Sequence, residues 1–403
     1  MLAKQSPANI KQNNLHVVLN TIIQHEPLSR ADLVRLTHIS KPTVSNLVDE
    51  LIARNLVCEI GEGESRTGRK PILVKFNSTR RYFVAFNTGR DDYHIALSDL
   101  KGVIVDERNG EFHPSQTYHD RLQLLSTYIS ELLRNRGITS ADLLKIHGAA
   151  PGVYVGKGQA LKWSGIEIPE TQDMQQFLEH TFHTPVLLNH SSKLALFGEK
   201  LAGKACDASH VVYIDLGHGL GGAFMFNREV YFGANDSAGE IGYMYSDPKE
   251  FEAYALTPYR RGALETIISG GALQQKGIAL AQKQPATKIL EFAGGVIGDI
   301  TAKTIFDAAK QGDPQAYYIL KESFAYFNMG LCNMINMLNP ERIILGGGIS
   351  KTGEFLLDFI INEIQDKVLI MPEFAISDLQ NKATIIGAIT YLIEHTDFLT
   401  ELE

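Results

Sequence analysis

Residues 29–56, SRADLVRLTHISKPTVSNLVDELIARNL, hold two short amphipathic segments separated by a tight turn, and this pair constrains the chain more than any other stretch. Ser29 can cap the first helix, with Asp32 returning the bond three residues on. Ala31, Val34 and Leu36 supply that helix with an apolar side, and Thr37-His38-Ile39 makes the turn. Ser40 is placed to cap the second helix, and Pro42 falls in its first turn, where no backbone N–H is needed. Val44, Leu47, Val48 and Leu51 recur at helical spacing and face a core. Lys41, Thr43, Ser45, Asn46 and Asp49 are left on the opposite face. Small hydrogen-bonding side chains at the N-terminal end of an exposed helix suit the base edges of a major groove. A plain pair of amphipathic helices has the same periodicity, so the flanking residues decide.

Leu15, Val18, Leu19 and Ile22 recur at i, i+3, i+4 and i+7, which predicts a helix before the pair. After Leu56 the pattern becomes that of strands: LVCEI, a loop GEGESRTGRK, then PILVKFN with Ile72, Val74 and Phe76 alternating. Three helices and a two-stranded hairpin make a winged helix-turn-helix. Arg66, Arg69 and Lys70 at the hairpin tip can lie along a phosphate backbone, and Arg30 joins them as a candidate cation. Charge agrees with this division. Residues 1–81 hold twelve Lys/Arg against seven Asp/Glu, a balance of +5 within a chain of −8. The remainder, 26 against 39, stands at −13. A mildly basic head on an acidic body is the asymmetry expected when only the head meets nucleic acid.

The 403 residues allow two or three domains. Three scattered cysteines write neither a disulfide framework nor a C-x-x-C metal site. With no apolar leader and no run near the ~18 residues of a membrane span, a reducing cytoplasmic setting is expected. From Tyr82 onward strands and helices alternate in two successive halves, the second opening with VVYIDLGHGLGGAFMF. That alternation predicts a two-lobed α/β body with a cleft between lobes. The glycine turns at 217–222 and 346–348 permit close backbone approach to an anion, although Asp215 beside the first would repel phosphate.

The head's SRADL…SKPTVS helix pair and GRKP wing, with AAPGVY, AGEIGYM (238–244), RRGALE (260–265), LNPERIILGGGIS (338–350) and IIGAI (385–389), resemble the ROK family (repressors, open reading frames and kinases), in its transcriptional-regulator branch. The resemblance implies an actin-like, ribonuclease-H-type α/β body with a sugar or sugar phosphate in its cleft. It divides the chain into a head at 1–81, a first lobe at 82–190 completed by a C-terminal helix at 383–403, and a second lobe at 191–382 with the sugar site and dimerisation helices.

Departures from the family pattern carry the functional expectation. Where the family's kinases have an Asn-Asp pair supplying the general base, this chain has His190 and Ser191. A serine hydroxyl takes up no proton near neutral pH. The first phosphate loop corresponds to Asn87-Thr88-Gly89-Arg90, with an amide for its acid and an arginine for its second glycine. The zinc ligands of many members correspond to Tyr243, Leu256, Pro258 and Ala263, so no zinc and no other cofactor is expected. Two sugar-contacting carboxylates persist as Glu240 and Glu265, with His190, Ser191 and Tyr243 as polar lining. Trp163 falls in a pocket-edge loop of the family. The resulting expectation is a repressor of carbohydrate genes without catalytic residues, binding an operator duplex as a homodimer or dimer of dimers. The alternatives are an active sugar kinase with an accessory head, or a regulator controlled by a protein partner.

Overall fold

A computed structural model describes residues 7–63, 70–89, 92–149, 174–253 and 261–402. The head comprises α1 (Pro7–His25), β1 (Leu28–Ser29), α2 (Arg30–Thr37), α3 (Lys41–Ala53), β2 (Val57–Glu62) and β3 (Ile72–Phe76). The capping box forms: Ser29 donates its hydroxyl and its backbone N–H to the Asp32 carboxylate at 2.7 and 3.0 Å. His38 ends α2 in the left-handed region, at φ +58°, which turns the chain into α3.

Three details differ from the sequence reading. The apolar side of α2 is Leu33, fully buried, with Val34 half-buried, whereas Ala31 and Leu36 are exposed. Eight residues make barely two turns, too few for periodicity to fix a face. Ser40 has the extended backbone of an N-cap, but its hydroxyl pairs with that of Thr43 at 2.8 Å and caps no backbone N–H. The wing sheet has a third strand, in the order β1-β3-β2. A two-residue strand carries no alternation to read.

The body continues with β4 (Tyr82–Thr88), β5 (Asp92–Asp99), β6 (Ile104–Glu111), α4 (Tyr118–Asn135), β7 (Leu143–Ala149), α5 (Met174–Phe182), β8 (Val186–Asn189) and α6 (Ser191–Ala202). Its second half holds β9 (Val211–Leu216), β10 (Leu220–Phe226), β11 (Glu229–Tyr231), α7 (Pro248–Ala253), α8 (Glu265–Ile268), α9 (Gly270–Lys283), α10 (Lys288–Phe292), α11 (Ala302–Lys310) and α12 (Pro314–Leu338). Then come β12 (Arg342–Gly346), α13 (Gly347–Ser350), α14 (Glu354–Ile364), β13 (Glu373–Ile376), α15 (Lys382–Glu394) and α16 (Phe398–Glu401).

The two five-stranded sheets run β6-β5-β4-β7-β8 and β11-β10-β9-β12-β13. In each, three antiparallel strands are followed by two added in parallel. The same topology therefore occurs twice, which is the two-lobed actin-like fold expected. Edge strand β6 escaped the sequence reading because one of its faces meets water and its residues, IVDERNGE, are mostly polar.

Helices α6 and α15 pack closely beside the first sheet, where Ala85, Ala96, Ala149, Leu194, Ile385, Ala388 and Ile389 form a small apolar layer. Gly387 sits so near the Leu194 carbonyl that any β-carbon would overlap it, which fixes glycine there. A separate core joins head to body. Leu392, Phe398, Leu399 and Leu402 pack with Leu15, Leu19 and Phe76 of the head and with Phe83, Leu100 and Leu144 of the first lobe. The Phe76 and Phe398 rings lie 5.3 Å apart. Lys101 pairs with Glu26 at 2.6 Å across the same junction.

Candidate functional site

Two surfaces bear the residues singled out above. On the head, burial of Val44, Leu47, Val48 and Leu51 leaves Lys41, Asn46 and Asp49 exposed on α3, with Thr43 and Ser45 half-exposed. These five share the outward face, as the helical spacing requires. Arg30 is paired within the head: its guanidinium bridges Asp49 at 2.7 Å and Glu59 at 3.0 Å, tying α2 to α3 and β2. Lys70 lies 3.8 Å from Glu62 at the base of the wing. Arg66 and Arg69 lie outside the described residues.

The second surface is a cleft of about 980 Å³ between the lobes, lined by His190, Ser191, Glu240, Tyr243 and Glu265 together. Residues up to 75 positions apart in sequence thus reach one site. His190 and Ser191 come from the junction of β8 and α6, and their side chains follow from the strand-to-helix turn. Glu240 is aimed by Gly239, whose φ of +92° and contact with the Gly222 carbonyl exclude a side chain. His190 Nε2 stands 2.7 Å from Glu240 Oε1. Glu265 opens α8 and takes Arg261 Nε at 3.7 Å, while the Arg261 guanidinium reaches His218 Nε2 at 3.4 Å.

Burial raises the Glu265 carboxyl to about 7; Arg261 works against this and Glu240 adds to it. Asp215, at the end of β9, is pushed up to about 6 by the same desolvation, with His190 opposing. Desolvation raises both carboxyl groups, so each gains from hydrogen-bond donors brought into the cleft. Sugar hydroxyls are such donors, and each ionised carboxylate accepts two of them. His218 and Arg261 join the site beyond the residues the sequence points to, although the G-H-G turn and the R-R-G motif that carry them are both visible in it. The sequence marks Asp215 only as an obstacle to phosphate.

Of the phosphate-loop positions, Asn87, Thr88 and Gly89 line the cleft; Arg90 is outside the described residues, as are Trp163, Leu256 and Pro258. Tyr243 ends a short 3-10 turn, Ile241–Tyr243, and Ala263 is buried without a donor atom. The four residues that correspond to the family's zinc ligands, Tyr243, Leu256, Pro258 and Ala263, include no thiolate, imidazole or carboxylate.

The sequence profile of the ROK family matches residues 83–395, and that of the MarR family matches residues 16–66. The chain belongs to the ROK family. Among its curated relatives, a putative xylose repressor of Caldicellulosiruptor sp. (strain Rt8B.4) is 27% identical over 396 residues, covering 96% of each chain. The crystal structure of a ROK family transcriptional regulator, a homologue of the E. coli MLC protein, superposes with a TM-score of 0.73 at 24% identity and covers 98% of this chain and 99% of its own. A ROK family glucokinase from Streptomyces griseus, solved with glucose and AMPPNP, reaches a TM-score of 0.64 at 22% identity. It covers 77% of this chain and 98% of its own. A winged head ahead of a ROK body is thus the full-length arrangement this chain has in common with the regulator.

Proposed function

We propose that this ROK protein is a DNA-binding repressor whose body senses a sugar and whose head, residues 1–81, reads an operator. The observation that carries the reading is the convergence of Glu240, Glu265 and His190 in one cleft, in a body whose core continues into the head. Lys41, Thr43, Ser45 and Asn46 read base edges in this account, while Lys70, Arg66 and Arg69 meet phosphates. Arg30 acts by fixing α3, not by touching DNA. The named repressors among the relatives make D-xylose the first sugar to try.

We infer that the cleft performs no phosphoryl transfer, because Ser191 supplies no base. Asp215 and Glu265, with pKa values near 6 and 7, are the groups that contest this inference. Useful operator affinity calls for two heads on two half-sites, hence a homodimer. Exposed Tyr318, Met329 and Met337 on α12, with Leu369 and Ile370, support a partner surface there.

The test selects binding sites from a random duplex library with the full chain, then titrates D-xylose, D-glucose, N-acetylglucosamine and its 6-phosphate. A selected sequence whose affinity changes with one of these sugars is the expected result. ATP consumption dependent on one of them, lost in Asp215→Asn, would establish a kinase instead. No sugar effect on either readout would favour control by a protein partner.

A further inference from the structure

His147 lies on β7, fully buried beside the apolar layer of Ala85, Ala149, Leu194, Ile385 and Ala388. Its Nδ1 is 3.0 Å from the Ala388 carbonyl of α15, and its Nε2 is 2.7 Å from Oδ1 of Asn189, the residue before His190. Burial lowers its pKa to about 4, so at neutral pH the ring carries one N–H. A carbonyl only accepts, so Nδ1–H donates to Ala388. Nε2 then accepts once the Asn189 amide is turned to bring Nδ2 to the position where Oδ1 is placed. The ring therefore holds the last residue of β8 and a mid-helix carbonyl of α15 at once. An aliphatic side chain would fill this layer without the cost of desolvating an imidazole, so packing alone does not account for the histidine.

Helix α15 spans the distance between the two surfaces. Gln380, Asn381 and Thr384, at its N-terminal end, line the cleft. Leu392, near its other end, is buried in the core shared with the head. Between them Tyr391 sits 4.8 Å from the His147 ring and stacks on His395 at 4.0 Å. His395 in turn lines a small cavity with His16 of α1 and Phe398.

We propose that His147 is the positioning residue that couples the sugar cleft to the DNA-reading head, linking the His190 end of β8 to α15 and, through Tyr391 and His395, to α1. This rests on the sugar-responsive reading above. A ligand that inserts between His190 and Glu240, 2.7 Å apart in this structure, moves Asn189, and Asn189 cannot move without His147 following or releasing it. Sugar affinity belongs to the cleft; its transmission belongs to this contact.

The experiment compares wild type, His147→Leu and His147→Gln as full chains, with D-xylose as probe and the selected duplex as DNA. Direct D-xylose affinity by calorimetry is expected to stay within about threefold in both variants. The change in DNA affinity on adding D-xylose, typically ~5–150-fold for a coupled pair of sites, should collapse toward one in His147→Leu and be retained in His147→Gln. Full coupling in His147→Leu overturns the proposal. Should the leucine variant fail to fold, His395→Ala, an exposed position, must weaken the same coupling, or the proposal fails.

Absence of any D-xylose response in wild type refutes the choice of effector, not the coupling, which is then read by hydrogen exchange without sugar. His147→Leu should accelerate exchange in both α15 and α1. Acceleration confined to residues 143–149 and 186–193 overturns it.

Discussion

Glu265 shows how one side chain serves binding at the expense of stability. Its carboxyl ionises near 7 in the folded chain against 4.5 when free, so between those values the folded form holds a proton that the unfolded form releases. The stability this contributes is present below about pH 4.5 and lost as pH rises through about 7. Glu265→Gln should therefore stabilise the sugar-free protein at pH 8 by up to roughly 3 kcal/mol, read as a higher urea midpoint. The same substitution should weaken the binding of the sugar found in the panel by about tenfold or more, read by calorimetry. Stabilisation without loss of affinity would remove Glu265 from the site. On the head, Asn46→Ala should relax preference at one or two base pairs by ~1–3 kcal/mol if its contact is bidentate. Equal losses on selected and random duplexes would reassign Asn46 to the backbone.

The elements that matter most are the two helices whose backbones nearly touch. α6 carries Ser191 at its start, α15 carries cleft residues at its start and head-packing residues at its end, and Gly387 sets how near they come. Gly387→Ala would drive a methyl group into the Leu194 carbonyl. The expected cost is about 3 kcal/mol, measured as a fall in urea midpoint, with sugar affinity reduced because α6 is displaced. At the junction, Phe398 is 7% exposed and meets Phe76. Phe398→Ala should cost ~3–5 kcal/mol through the cavity it leaves. It should also loosen the head, seen as faster exchange in α1. An unchanged α1 would show that the shared core does not hold the head in place.

For the whole molecule, the buried neutral His147 sets a dependence on pH opposite to that of Glu265. Its folded pKa of about 4 lies below the 6.5 of a free histidine. The unfolded chain therefore binds the extra proton first, and stability falls as pH drops from about 6.5 toward 4, by roughly 3 kcal/mol from this group. His147→Leu should flatten that acid limb in urea titrations between pH 4 and 7; an unaltered limb would place its origin elsewhere. Charge acts at this scale too. A basic head on a body at −13 should give DNA affinity that falls steeply with salt, and Lys70→Ala should lower the slope.

Much of this was legible in the chain itself. The helix-turn-helix is local: caps, apolar spacing and the exposed face of α3 are set by residues within a few positions of one another. The alternation of strands and helices announced a two-lobed α/β body, and motifs around Glu240 and Glu265 marked the cleft. Sequence alone left undecided what depends on distant pairing. The twofold recurrence of one sheet topology is carried by strand order, which leaves no repeat in the residues. The pairing of Arg30 is invisible in the sequence because Asp49 and Glu59, its partners, lie 19 and 29 residues away. His147 and Asn189 are 42 residues apart and His147 and Ala388 are 241 apart. Local pattern determined the parts and their chemistry. Only tertiary structure, by bringing α15 between cleft and head, decided how they are joined, because burial and hydrogen-bond partners are properties of the folded neighbourhood.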